Sequence, residues 1–472
     1  MTINEIATGR GADTAADTAA DTAADTAAAL RDALGDRILL AGDPGYAEAS
    51  TPWNVAVVQR PFAVARPESA EDVVDVVRAA RAAGLRVAPQ STGHGAGSFL
   101  GADLSRTVLV SLARLRGVVV DPVARTARVL GGSHWNDVLE AAAPHGLTAL
   151  HGSAGDVSVA GYALSGGLSF YVRSHGLAVN TVREVQIVTA DGALLRASAD
   201  EHPDLFWAVR GGGGAFGVVV SIELDLLPIP DVCAGMLLWP AERAPEVARA
   251  WAAWTATAPE TATTSLRVMN FPPMPELPPF LSGRSVVVID GAIEDADAAA
   301  SALLEPLRAL APEKDTFARM PSAALVQVHM DPPTPTPALS EHVVLGSFPA
   351  EAADAFVAAA ATPGLFIQEI RHVGGAAARR PAHGGAIASL TGEFVAHTVA
   401  VVPVPEMAEL AAGAVRAGLA ATAPWEIASR SLTFVETADY DRAAAFGASW
   451  ERLRRLKAEY DPTGMFTAAR AV

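Results

Sequence analysis

Cysteine occurs once in 472 residues, at Cys233. That excludes an internal disulfide and gives no sign of an oxidising compartment. Lysine stands only at positions 314 and 457, no Lys/Arg block occurs, and the formal net charge is −17; a phosphate backbone needs a basic surface, so nucleic acid is excluded as an expected partner. No uninterrupted apolar run approaches the ~20 residues that a membrane span requires. The N-terminus has no basic flank followed by an apolar block, so a cytoplasmic protein without a membrane partner is expected. No His, Cys, Asp or Glu cluster has metal-ligand spacing, and no metal is expected. What is present is a chain that is 50% hydrophobic and rich in alanine and arginine. It can bury a sizeable core in two or three domains, and its residue usage fits a high-GC bacterial genome.

The chain opens with a four-fold "DTAA" beginning at Asp13, Asp17, Asp21 and Asp25. With nothing large to bury, residues 1–34 read as a disordered or frayed acidic tail. "SAEDVVDVVRAARAA" reads as a helix capped by Ser69 with Asp72 three residues on, closed by Gly84. "LRVAP" and "TVLVSL" read as strands, "GVVVDP" and "ARTARVLGG" as a paired couple, and "SHWNDVLEAAAPHG" as a helix capped by Ser133. "REVQIVTADGALLRAS" is a hairpin turning at Asp191 and Gly192. After "PIPD" a region without tyrosine alternates Ala-rich helices with strands such as "RSVVVIDG" and "EFVAHTVAVVPV".

Three glycine-rich loops punctuate this order: "PQSTGHGAGS", "HGSAGDVSVAGYALSGGLS" and "RGGGGAFG". Glycines let successive backbone N–H groups approach a pyrophosphate. None of the three is G-x-G-x-x-G opening a βαβ unit, nor a Walker loop, so a Rossmann site is disfavoured. In this order, with "DLFWAVRGGGGAFGVV" and the ending "LKAEYDPTGMF", the loops resemble the FAD-linked oxidases of the vanillyl alcohol oxidase superfamily, in the branch of berberine bridge enzyme and bacterial 6-hydroxynicotine oxidases.

The resemblance implies an α+β fold: a PCMH-type FAD-binding domain of two subdomains, residues 35–228 with a return at 428–472, and an α+β substrate domain with an antiparallel sheet, 229–427. It also implies FAD joined covalently to His94. Contacts to the cofactor carried over by motif are Ser91, Thr92, Gly93 and Gly95, then Gly161, Tyr162, Gly167 and Val219. Ala154 stands where plant relatives carry a second, cysteinyl link, so a single link is expected, and Val157 stands at the position that gates oxygen.

One departure concerns the base. Relatives carry "YxNF" where this chain has "SLTF", placing Ser431 and Thr433 at the tyrosine and asparagine; a serine hydroxyl cannot readily replace a phenol with pKa near 10. Remaining candidates are His329, His372, Glu393 and His397, with Glu393, Val395 and His397 expected on one strand face. The expected activity is oxidation of a small apolar alcohol, amine or phenol, with hydride passing to the flavin and oxygen reoxidising it to give hydrogen peroxide. Alternatives are an oxidative cyclase, oxygenase or non-redox cyclase of natural-product biosynthesis, and a non-catalytic ligand-binding protein. The oligomeric state is expected to be monomer or homodimer.

Overall fold

The computed structural model describes residues 22–472, so most of the aspartate repeat lies outside the described residues. Residues 22–34 are helical rather than a frayed tail. Leu30 and Leu34, one turn apart, are each 1% exposed and join a core with Val73, Val77, Val87 and Val110. Two leucines at that spacing give the helix an apolar stripe that the first sheet covers, a stripe lying just beyond the repeat.

That sheet is four-stranded, in the order β1 (Ile38–Leu40), β2 (Ala63–Ala65), β4 (Thr107–Ser111), β3 (Arg86–Gln90), with β2, β3 and β4 parallel. Helix Ala70–Ala82 covers it with Val73, Val76, Val77 and Ala80, and the Ser69 hydroxyl accepts the Asp72 N–H as its spacing predicts. A second, antiparallel sheet has the order β5 (Val118–Asp121), β6 (Thr126–Leu130), β9 (Val218–Asp225), β7 (Val182–Val188), β8 (Leu194–Ser198). Ser133 does not cap the helix Trp135–Ala142. The cap position is His134, whose N–H donates to Asp137 at 2.8 Å, while the Ser133 hydroxyl is engaged with the backbone of Gly117.

The third sheet has eight strands, all antiparallel, ordered β13 (Lys314–Asp315), β10 (Asp231–Pro240), β12 (Ser285–Ile293), β11 (Ala262–Asn270), β16 (Ile367–His372), β17 (Phe394–Val401), β15 (Ala338–Leu345), with β14 (Ala318–Pro321) also on β10. Alternation sorts its residues. Leu266, Val268, Val287, Ile289, Ile370 and Ala396 pack against helices Ala244–Thr255, Asp297–Arg308 and Ala350–Ala359. The intervening positions face the other way, toward the glycine-rich loops. The chain then returns to the first sheet, where Phe466 bridges Val87 and Met465 joins the core.

Among the described residues no helix is long and apolar enough to cross a membrane, and no group of three His, Cys, Asp or Glu could hold a metal.

Candidate functional site

A cavity of about 400 Å³ lies where the three glycine-rich loops meet the free face of the third sheet, within the range of small-molecule sites. The first loop follows β3. Its carbonyls at Thr92 and Gly93 accept N–H groups of Trp53 and Asn54, whereas the N–H groups of Gly93, His94 and Gly95 make no hydrogen bond among the described residues. Gly93 adopts φ 79°, and a Cβ there would lie 2.6 Å from Pro52; only glycine permits the turn. Free N–H groups in succession form an anion nest.

The His94 ring stacks on Trp53 with centroids 4.3 Å apart. Its Nδ1 lies 2.8 Å from the Thr92 hydroxyl, and its Nε2 is 3.6 Å from Asp156 and makes no hydrogen bond. Asp156 also accepts the Trp53 indole N–H at 2.9 Å. Burial works against its charge, yet His94 and Trp53 hold its pKa below the usual carboxylate value.

Ser91, Thr92, Gly93, His94, Gly95, Ala154, Val157, Gly161, Tyr162 and Val219 all line the cavity. Gly167 does not: packed against Tyr162 and Ala178, it turns its N–H to the Thr433 hydroxyl at 3.0 Å, and Thr433 is the one that reaches the cavity. The buried Tyr162 hydroxyl has no hydrogen-bond partner, and burial pushes its pKa up. The nest, the unpartnered hydroxyl and the glycine-walled cavity fit a dinucleotide with a pyrophosphate.

The sheet side carries charge. His397, Arg371 and Asp331 line the cavity with Phe434, and the Arg371 guanidinium lies 4.9 Å from the Phe434 ring centre. Met330 takes φ 56°, a left-handed strained conformation for a non-glycine residue, between a buried His329 and the cavity-facing Asp331.

Four expected catalytic residues lie off the cavity. His372 sits on the helix-facing side of β16, one residue out of phase with Arg371; it stacks on Phe394, receives Arg173 at 2.7 Å, and has its pKa pushed down to about 3 by burial and by Arg173. Glu393 precedes β17 and is exposed. Ser431 is buried, its N–H donating to His342 Nε2 at 3.0 Å. His329 is buried beneath the cavity wall, bonded to Asp290.

Sequence reasoning missed Trp53, Asp331, Arg371, Phe434, Glu436 and Arg470 on the cavity wall. Only Arg371 had a local signal: it alternates with Glu369 as an oppositely charged pair two residues apart in β16. Glu436 accepts the Gly97 N–H at 2.9 Å, and burial pushes its pKa up to about 7.

Comparison with known proteins agrees with this geometry. Residues 61–198 match the FAD binding domain model and residues 434–472 the model described as "Berberine and berberine like". The chain is 34% identical over 203 residues to (R)-6-hydroxynicotine oxidase of Paenarthrobacter nicotinovorans, covering 43% of this chain and 44% of the relative. It is 34% identical over 207 residues to xylooligosaccharide oxidase of Thermothelomyces thermophilus, covering 43% and 41%. The matches thus span less than half the length of these curated relatives. The fold extends over nearly the whole chain. Physcomitrella patens BBE-like 1 superposes with TM-score 0.82 at 19% identity, covering 95% of this chain and 98% of that one. For 6-hydroxy-D-nicotine oxidase from Arthrobacter nicotinovorans the values are 0.79, 23%, 91% and 96%. The chain thus carries an FAD binding domain match and a berberine-like match, on a fold shared with the BBE-like and 6-hydroxynicotine oxidase structures.

Proposed function

We propose that the chain is an FAD-dependent oxidase of a small alcohol, amine or phenol with an apolar body. The observation that carries this reading is the cavity itself, walled by backbone N–H groups on one side and by a polar sheet face on the other. FAD bound there would take a hydride from the substrate carbon and pass both electrons to oxygen, giving hydrogen peroxide.

The rest falls to the chain. His94, which stacks on Trp53 beside Asp156, would join the flavin covalently. The N–H groups of Gly93, His94 and Gly95 receive the pyrophosphate. Val157, on the cavity wall, would govern the approach of oxygen, and Phe434, Leu168 and Trp53 supply apolar walls for the substrate. His397 accepts the proton that leaves the substrate oxygen or nitrogen, and Arg371 and Tyr162 orient the reacting group. In this reading residues 35–228 and 428–472 hold the cofactor and 229–427 the substrate.

Acid precipitation of the purified protein followed by mass spectrometry of the His94 peptide tests the linkage. Flavin on that peptide, lost in His94→Ala, is expected; release of all flavin from the wild type would remove the covalent claim. A panel of alcohols, amines and phenols added without oxygen tests the chemistry. Bleaching of the flavin, followed by peroxide on aeration, is expected. Product formed without bleaching would replace oxidation by non-redox cyclisation, and tight binding without turnover would make the chain a ligand-binding protein.

A further inference from the structure

The free face of the third sheet holds a row of polar side chains set by strand register. His342 on β15, His397 on β17, Glu369 on β16 and Arg267 on β11 are successive cross-strand partners. We propose that Glu369 is a positioning residue that fixes the tautomer of His397, so that His397 Nε2 presents a lone pair to the cavity. The inference rests on the reading above in which His397 takes the substrate proton.

The contacts run in one direction. His397 Nδ1 lies 3.3 Å from Glu369 Oε2, and its Nε2 makes no hydrogen bond among the described residues. A separation of this size tightens on substrate binding in many enzymes. Glu369 Oε1 accepts Arg371 Nε at 2.8 Å and lies 3.3 Å from His329 Nε2. His329 Nδ1 donates to Asp290 at 2.8 Å, and Asp290 is also bonded to Arg267 and Ser265.

Each neighbour keeps Glu369 charged. Burial opposes ionisation, but Arg371 and then His329 hold its pKa well below the ordinary value. Asp331, a further charged group on the cavity wall, acts on Arg371 and His329, while Arg430 and Arg470 act on His342. His342, the other cross-strand neighbour of His397, does not compete: Nδ1 donates to the Phe434 carbonyl at 3.0 Å and Nε2 accepts the Ser431 N–H, and burial pushes its pKa down to about 3. A carboxylate that these cations hold in its charged form therefore takes the His397 Nδ1–H, which leaves only Nε2 to receive a proton. When it does, the imidazolium forms against a carboxylate already in place, with no charge to reorganise.

Two measurements test this. In flavin-loaded protein labelled with 15N-histidine, the ring signals lost in His397→Gln are expected to show a protonated Nδ1 and a bare Nε2, and that Nδ1–H is expected to move or exchange away in Glu369→Gln. A bare Nδ1 in the wild type, or no change in Glu369→Gln, overturns the proposal. With a compound that bleaches the flavin, Glu369→Gln is expected to lower kcat roughly 10–100-fold, the size typical of orienting partners, with KM little changed and partial rescue by Glu369→Asp. In the His397→Gln background the same substitution is expected to add no further loss; equal losses in both backgrounds would make Glu369 merely structural and overturn the proposal. Should no compound bleach the wild type, the oxidase reading fails, and the ring spectrum still decides the role of Glu369.

Discussion

The two walls of the cavity are built from different materials. On the loop side the working groups belong to the backbone: N–H groups of Gly93, His94 and Gly95, exposed because glycine permits φ 79° at Gly93. On the sheet side they are side chains: Asp331, Arg371 and His397 line the cavity, backed by the buried Arg267, Asp290, His329 and Glu369 from β11, β12, β16 and the 329–331 turn. A backbone wall is indifferent to which small side chains it carries and intolerant of a changed conformation. A wall of buried charges is the reverse, since each group depends on a partner for its solvation. Fixed loops suit a constant cofactor, and an interchangeable set of side chains suits the variable partner.

The sharpest way to break this contrast is Arg267→Met, which takes the guanidinium from Asp290, a carboxylate with 0% exposure, and leaves it only His329 and Ser265. Loss of one member of a buried pair costs about 3–5 kcal/mol, read as a lower urea midpoint; a change under about 1 kcal/mol would mean that the network solvates itself. Next comes Gly93→Ala. Left-handed backbone costs an alanine roughly 1–2 kcal/mol and the contact with Pro52 about as much again through overpacking, so flavin content per chain should fall together with Tm. Ser91→Ala, which removes the 2.6 Å bond from the Ser91 hydroxyl to the Gly131 carbonyl, should cost only about 1 kcal/mol. Equal losses from Arg267→Met and Ser91→Ala would erase the distinction.

The smallest effect is a slope. Glu436 has a pKa near 7 in the folded chain against a reference value of 4.5. A carboxyl with a raised native pKa favours the fold only while protonated, so its contribution is full below about 4.5 and is lost as pH rises through 7. Stability of the wild type is expected to decline across that window, measured without added ligand, and Glu436→Gln to flatten the decline.

The same contrast governs how much of the site could be read from sequence. The loop wall was legible because its parts are contiguous: a strand, a glycine turn and His94 lie within a dozen residues, and the turn chemistry is local. The sheet wall was not, because its members are spread from Arg267 to His397 and meet only through register, which depends on which strands pair. Reading "EFVAH" as an alternating strand placed Val395 and His397 on one face correctly. It erred at Glu393 because β17 begins one residue later, and it could not see that Glu369 stands opposite His397. His372 was misplaced for a related reason, being next to Arg371 in sequence and therefore on the opposite face. The helix over residues 22–34 was missed because its signal is only Leu30 and Leu34, which follow a repeat that buries nothing.

The return of the chain to its first sheet has a consequence for synthesis. Trp53 and Arg470 line the same cavity, and Phe466 is paired with Val87. The ribosome adds about 5–20 residues per second, so the glycine turn and its histidine emerge long before the segment that closes over them. The chamber is therefore complete only once Arg470 has followed Trp53 out of the ribosome, so the wall made first waits for the segment made much later.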